Sequence, residues 1–311
     1  MLWQGKDDNE AGREKDKQET VNLDAREYNN KETDIMKYTN NGSEIELTEI
    51  SDFDPVRIFE CGQCFRWNAD EKGVYTGVVK NRAARLRREG NSIFISGSIE
   101  DFESIWRDYF DLDRDYKEIR RRLCIDDFMQ KATEYGAGIR ILRQDKWEAL
   151  CSFIISQCNN IPRIKKIIST LCQEFGEKIE FDNKQYYTFP KAQLLASLNE
   201  SDLAPLHCGY RAAFIINAAK SIVEETVNLE ELSKETYDSA REKLKQLRGV
   251  GDKVADCTIL FGLNMLDAFP KDVWIKRAIT QQYSKNFDPI IFTPYAGIAQ
   301  QYIFYYARST M

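Results

Sequence analysis

Between about residues 44 and 100 the apolar positions recur in short runs with a period near two. Val74-Tyr75-Thr76-Gly77-Val78-Val79, Ala84-Arg85-Leu86-Arg87 and Ser92-Ile93-Phe94-Ile95-Ser96 each fit a strand, and Cys64-Phe65-Arg66-Trp67 reads the same way. Asn, Asp and Gly turns separate them, which predicts an antiparallel sheet. From about residue 101 the period lengthens to that of helices. A helix is expected to begin at Asp101-Phe102-Glu103-Ser104-Ile105-Trp106, and a strongly apolar one runs from Trp147 to Ser156. Pro162 suits the first turn of the next, which continues through Ile164, Ile167, Ile168 and Leu171. Further helices are expected over about 211–225, 234–247, 252–265, 273–284 and 294–308. The pattern predicts an α+β fold: a tail at 1–40, an antiparallel sheet domain at 41–120 and a mostly helical domain at 121–311.

Composition sharpens this picture at the N-terminus. Residues 1 to about 40 are rich in Asp, Glu, Lys, Asn and Gln and poor in large apolar residues, as expected of a disordered acidic tail. No stretch approaches the ~20 apolar residues that a membrane span needs, and Met1-Leu2-Trp3-Gln4-Gly5-Lys6-Asp7-Asp8 has no apolar secretion core. Neither membrane insertion nor secretion is expected. The whole chain is acidic, at −6, but 7 basic and 15 acidic residues fall within 1–55. The remaining 37 basic and 35 acidic residues leave 56–311 slightly positive. Basic clusters there are Lys80 with Arg82, Arg85, Arg87 and Arg88, then Arg120-Arg121-Arg122, then Arg163, Lys165 and Lys166. Whole-chain charge therefore does not argue against a nucleic-acid partner.

Eight cysteines are spread over the chain, and Cys61-Gly62-Gln63-Cys64 holds the single Cys-x-x-Cys. His207 is the one histidine. This spacing suits free thiols better than disulfides, a zinc site or an iron–sulfur cluster. His207, Cys61 and Cys64 are expected to serve packing.

Candidate chemistry concentrates in Leu247-Arg248-Gly249-Val250-Gly251-Asp252-Lys253-Val254-Ala255-Asp256-Cys257. One helix ends near Leu247, two glycines permit a tight turn, and a second helix starts near Asp252, placing a hairpin at 247–253. The turn amides and the helix start can bind a phosphate, although an ordinary connecting turn would look the same. Lys253 falls in the first turn of the second helix, where the dipole disfavours an extra cation, and Cys257 lies on the same face. On position alone the plainer reading of Lys253 is a solvated surface lysine. Farther on, Ala268-Phe269-Pro270-Lys271-Asp272-Val273-Trp274 brings an aspartate to a helix start, where it can cap. A carboxylate returned near a first-turn lysine would also suit a reaction that develops positive charge.

In combination these features resemble the helix–hairpin–helix DNA glycosylase superfamily, and within it the 8-oxoguanine DNA glycosylase/AP lyase family. The resemblance spans about 50–308. It rests on Cys61-Gly62-Gln63-Cys64-Phe65-Arg66-Trp67, Gly138-Ile139-Arg140-Ile141-Leu142-Arg143-Gln144-Asp145, Asn159-Asn160-Ile161-Pro162-Arg163-Ile164 and Gly209-Tyr210-Arg211-Ala212, with the Lys253/Asp272 region and Tyr295-Ala296-Gly297-Ile298-Ala299-Gln300. It implies a TATA-binding-protein-like sheet domain followed by the helical glycosylase body. It further implies excision of 8-oxoguanine from duplex DNA, then β-elimination at the abasic site, with no organic cofactor and no catalytic metal. The implied partner is double-stranded DNA carrying the lesion, the implied state a monomer, and the implied location the cytoplasm and nucleoid or the nucleus.

Carried over to this sequence, the resemblance implies Lys253 as the nucleophile that forms a Schiff base and Asp272 as the carboxylate that stabilises the developing cation. Gly62 would accept a hydrogen bond from N7–H of the flipped base, Cys257 and Phe304 would sandwich it, and Gln300 would bond its Watson–Crick edge. Tyr210 and Arg211 would fill the gap in the duplex and meet the orphaned cytosine, with Arg163 and Asn160 assisting. Gly249, Gly251 and Trp274 belong to the implied DNA contacts. Three positions depart from the family pattern: Arg248 replaces a proline, Cys158 an asparagine and Trp274 a histidine. Two rival readings are a related glycosylase for another oxidised purine and a catalytically silent DNA-binding hairpin module. The joint presence of Lys253, Asp272 and a base pocket argues against the second.

Overall fold

The structure is a computed structural model that describes residues 36–283 and 287–311. Most of the expected tail therefore lies outside the described residues. Its last residues do not behave as a tail: Lys37–Asn40 forms strand β1 at the edge of a sheet. The strands that follow are β2 (Glu44–Thr48), β3 (Asn68–Ala69), β4 (Tyr75–Val79), β5 (Arg82–Glu89) and β6 (Ser92–Ser96). They make one six-stranded antiparallel sheet in the order β1-β2-β6-β5-β4-β3. Register places Leu86 and Ile45 on either side of Ile95, and Leu47 opposite Ile93, so one face is continuously apolar. That face and Phe59, Trp67, Phe102, Trp106 and Phe110 form the smaller of two cores.

Residues 64–67 are not a strand. Their alternation has a different origin, because Phe65 packs into the helical core and Trp67 into the sheet core, stacked on Phe59 at 4.5 Å. The segment thus bridges the two halves. It is preceded by helix α1 (Pro55–Glu60).

Beyond the sheet, α2 (Ile99–Asp101) and α3 (Arg107–Tyr109) flank a wider π turn over Phe102–Trp106. The helical body comprises α4 (Tyr116–Leu123), α5 (Asp127–Tyr135), α6 (Lys146–Ile155), α7 (Ile161–Phe175), α8 (Ala192–Ala196), α9 (Arg211–Val223), α10 (Leu229–Leu232), α11 (Tyr237–Leu244), α12 (Asp252–Phe261), α13 (Val273–Gln282) and α14 (Ala296–Thr310). Asn160 caps α7 by accepting from the Arg163 amide, and the proline stands in its first turn as expected. The helix expected over 252–265 stops at Phe261, with Gly262 as its cap and Asn264 left-handed at φ 56°. A small hairpin that was not expected, β7 (Lys178–Phe181) with β8 (Lys184–Tyr187), has short strands that are only half covered. Among the described residues no helix is long and apolar enough to cross a membrane, and all eight cysteines are unpaired.

A buried arginine ties the halves together. Arg140 is fully buried, and its guanidinium donates to the carbonyls of Ser51 at 2.9 Å, Asp52 at 2.9 Å and Asp111 at 2.8 Å. These acceptors belong to loops of the sheet region, whereas Arg140 leads into α6. Arg140→Leu removes all three donors, and each buried carbonyl left unpaired costs ~1–3 kcal/mol. The expected loss of stability is about 3 kcal/mol or more, read as a lower midpoint in urea unfolding. A midpoint within error of the parent would contradict this role.

Candidate active site

Two helices and the turn between them deliver the lysine. Leu247 and Val250 are buried anchors on either side of the turn, closed by the Val250 amide donating to Leu247 O at 3.0 Å. Gly249 sits at φ +84° beneath Phe214, whose ring would be 2.2 Å from any Cβ there. Both facts require glycine. Arg248 donates its amide to Asn217 Oδ1 at 3.2 Å, so α9 holds the turn from behind. Gly251, by contrast, is exposed with open space at its Cα, and α12 starts immediately after it.

Lys253 leaves the first turn of α12 half-buried. Its Nζ donates to Ser156 Oγ at 2.9 Å and stands 5.3 Å from the centroid of the Phe153 ring. Both partners come from α6 and its C-terminal cap. Among the described residues no carboxylate lies within ion-pair distance of this amine. It is held by a neutral hydroxyl and an aromatic face, in reach of solvent through a cleft of about 940 Å³.

Asp272 faces the same cleft from the start of α13. Ala268, Phe269 and Pro270 are buried and fix the preceding loop, and the Asp272 carboxylate accepts from the Ile275 amide at 2.8 Å as the N-cap. Burial pushes its carboxyl pKa up, and the Ile275 amide and the Lys253 charge partly oppose that shift. An acidic form favoured by burial means that ionisation costs folding free energy at neutral pH.

A recess of about 70 Å³ opens beside the lysine. Gly62, Cys257, Gln300 and Phe304 line it, together with Lys253 and Asp272. The six residues assigned to chemistry and to the base thus meet at one place. Gln300 is 4% exposed, and its Oε1 has no hydrogen-bond partner among the described residues. A buried acceptor in that state costs ~1–3 kcal/mol, which a donor entering the recess would recover. Gly62 adopts φ +79°, with the Phe304 ring 3.5 Å from where a Cβ would stand, and its carbonyl accepts no hydrogen bond among the described residues. Burial raises the Cys257 thiol to about 11, so it lines the recess as a neutral group.

The rim is arranged differently from the sequence expectation. Tyr210 is exposed, and Arg163 is exposed with Nη2 donating to the His207 carbonyl at 3.2 Å. Arg211 is not at the surface. It is 4% exposed, and its guanidinium donates to the carbonyls of Gln157, Cys208 and Cys158 while lying 4.6 Å from the Tyr210 ring centroid. His207, expected to pack, is exposed in a left-handed turn with φ 50°. Cys158 is exposed with φ 46°, and Trp274 is half-buried with the Arg277 guanidinium 5.3 Å from its ring.

Most of the basic clusters are internally neutralised. Arg82, Arg85, Arg87 and Arg88 pair with Asp101, Asp182, Glu44 and Asp54, while Arg120 pairs with Asp52 and Arg121 and Arg122 with Glu118. Lys165 pairs with Glu60. Around the cleft, however, Lys271, Lys276 and Arg308 have no ion-pair partner among the described residues, nor do the neighbouring Arg163 and Arg248. Sequence reasoning missed Lys271 and Lys276 as cleft residues, and it missed Ser156 and Phe153, hidden inside an apolar helical run. A hydroxyl ending such a run was the available signal.

A family model described as the N-terminal domain of 8-oxoguanine DNA glycosylase matches residues 45–150, and one described as HhH-GPD superfamily base excision DNA repair protein matches 151–289. The chain belongs to the 8-oxoguanine DNA glycosylase family. The N-glycosylase/DNA lyase of Saccharomyces cerevisiae is 35% identical over 252 residues, covering 73% of this chain and 67% of that protein. Among solved structures, MBOgg1 in complex with a low-affinity DNA ligand is 43% identical at a TM-score of 0.84, covering 88% of this chain and 98% of that one. The Clostridium acetobutylicum 8-oxoguanine glycosylase/lyase bound to double-stranded DNA with cytosine opposite the lesion is 36% identical, with a TM-score of 0.82 and coverage of 89% and 98%.

In this family member the capping and electrostatic roles of Asp272 can be separated. Asparagine caps a helix about as well as aspartate. Because the folded-state pKa is raised, the carboxyl's favourable contribution is complete below its ordinary pKa and is lost as pH rises through the folded value. Asp272→Asn is therefore expected to melt at or above the parent's temperature at about pH 7, with the gap closing towards about pH 4. Calorimetry across that range decides it; a clear drop in melting temperature at neutral pH would contradict the assignment.

Proposed function

We propose that Lys253 and Asp272 perform the N-glycosylase/DNA lyase reaction that this chain, as an 8-oxoguanine DNA glycosylase, contributes to base excision repair. The observation that carries the assignment is the shared recess, where an amine, a carboxylate and two acceptors without a partner among the described residues converge at the edge of the larger cleft. Lys253 reacts as the neutral amine. Its lone pair attacks C1′ of the damaged nucleotide, the C1′–N9 bond breaks, and the electron pair leaves with the base. Asp272 stabilises the positive charge that develops on the sugar, an electrostatic role suited to a partly dehydrated carboxylate. Loss of the amine proton and ring opening give the Schiff base. Removal of a C2′ proton then expels the 3′ phosphate, leaving a cut strand.

The recess reads the base by its donors. 8-Oxoguanine carries a proton on N7 where guanine carries a lone pair, so the Gly62 carbonyl bonds the first and opposes the second. Gln300 Oε1 accepts from the Watson–Crick edge, and Phe304 and Cys257 pack its faces. Extrusion costs a few kcal/mol of unstacking. Tyr210 offsets part of this by entering the gap, and the unpaired cations Lys271, Lys276 and Arg248, with the amides at Gly249 and Gly251, hold phosphates. Trp274 lies beside that path. Arg163 reads the orphaned cytosine through its O2 and N3 acceptors. Arg211 supports it from below through the 157–158 backbone, while Asn160 fixes the start of α7 beneath Arg163.

Lys253→Gln is expected to abolish borohydride trapping of a covalent protein–DNA adduct while lesion binding persists. Undiminished trapping would assign the chemistry to another amine. Arg163→Met is expected to flatten the preference for cytosine opposite the lesion, by roughly tenfold given ~1–3 kcal/mol for a bidentate base contact. Equal excision opposite all four bases by the unsubstituted protein would remove Arg163 from this role.

A further inference from the structure

The Gly62 carbonyl can read one proton only if its backbone cannot rotate away, and the structure shows what prevents it. Gln63 is fully buried; its Nε2 donates to the carbonyls of Ile58 at 2.9 Å and Arg140 at 2.8 Å, and its Oε1 accepts from the Leu142 amide at 2.9 Å. The carbonyl of Gln63 itself accepts from Gln144 Nε2 at 2.7 Å. On the other side, the carbonyl of Cys61 accepts from Gln301 Nε2 at 2.7 Å, across 240 residues of chain. Gln301 is 2% exposed and precedes Phe304 on α14 by one turn, next to Gln300. The flanking carbonyls are therefore both occupied and the one between them is open. Arg308, a turn beyond Phe304, adds a 2.8 Å bond to the Glu60 carbonyl, so α14 grips this strand of backbone twice.

We propose that Gln301 is a specificity-positioning residue: by pinning the Cys61 carbonyl it aims the Gly62 carbonyl at the N7–H of the flipped base. The inference rests on the proposed reading of the recess. Gln301 lines the recess, but its amide is spent on the Cys61 carbonyl and makes no hydrogen bond to Lys253 among the described residues. Its loss leaves the amine chemistry in place and frees the peptide that separates 8-oxoguanine from guanine. Because Gln301 sits on the same helix as Gln300 and Phe304, the reader of N7, the reader of the Watson–Crick edge and the stacking ring move as one body.

Gln301→Met keeps the length and bulk of the side chain without its donor, and Gln301→Leu provides a second shape. Two reactions are compared in each protein: excision from a duplex holding 8-oxoguanine, and cleavage of a duplex holding a preformed abasic site, which presents no base to read. Expected is a roughly tenfold fall in 8-oxoguanine excision, as one hydrogen bond predicts, with abasic-site cleavage within twofold of the parent. In the Lys253→Gln background, the ratio of affinities for 8-oxoguanine over guanine should fall by a similar factor. Equal loss of both reactions in both variants would make Gln301 merely structural and overturn the proposal. Unchanged excision and an unchanged affinity ratio would overturn it as well. Failure of the underlying reading looks different, because the unsubstituted protein would then show no preference for 8-oxoguanine over guanine.

Discussion

A peptide segment of three residues, 61–63, meets the end of α1, the backbone leading into α6, helix α14 and the recess, and the buried side chain of Gln63 holds it. That side chain satisfies donors and acceptors of the 140–142 backbone and the end of α1 together. The same backbone carries Arg140, whose guanidinium anchors the loops of the sheet region. A low-dielectric interior makes such a network costly to break in part, because any member left behind is an unpaired buried group. The sheet and the helical body are thus fastened at the place where the recess beside Lys253 is built.

The reacting groups obey a second constraint, which is electrostatic. A lysine beside a carboxylate at contact distance would be held as an ammonium. Here Lys253 bonds a serine hydroxyl and faces an aromatic ring, and Asp272 spends one of its oxygens on capping α13. Both are half-buried in one cleft without forming an ion pair. The amine and the carboxylate therefore face the same cleft with separate hydrogen-bond partners. Elsewhere on the chain the arginines are largely matched by acids, so the unmatched cations near the cleft stand out as the part of the surface suited to phosphate.

Much of this was legible from residues that obey local rules. The period-two runs at 74–79, 84–87 and 92–96, the glycine at 249 and the capping Asp272 follow from backbone sterics and capping, and each falls in the element expected. The motif resemblance placed Gly62, Cys257, Gln300 and Phe304 in one pocket before any distance was known. What local rules could not supply were long-range pairings. Gln301 and Gln144 are ordinary polar residues until the backbone carbonyls they reach are known, and Ser156 is one hydroxyl at the end of an apolar helix. Trp67 and Phe65 mimic a strand because their side chains point into two different cores. Arg211 carried a motif expectation of base contact, yet its neighbours hold three carbonyls that absorb its donors. The β7–β8 hairpin is hard to read because both strands are four residues long and only half covered, although Ile179 and Phe181 share one face of β7.

The central claim is that a fixed acceptor selects the oxidised base and a nearby amine removes it. Its most direct test is a single-turnover experiment on two duplexes identical except for one position, 8-oxoguanine in one and guanine in the other, each opposite cytosine. Free base and cut strand are measured together. The structure predicts release of 8-oxoguanine with cleavage of the same strand, and intact guanine duplex over the same time. Comparable release from both duplexes, or release of 8-oxoguanine with no β-eliminated strand at any time, would contradict it.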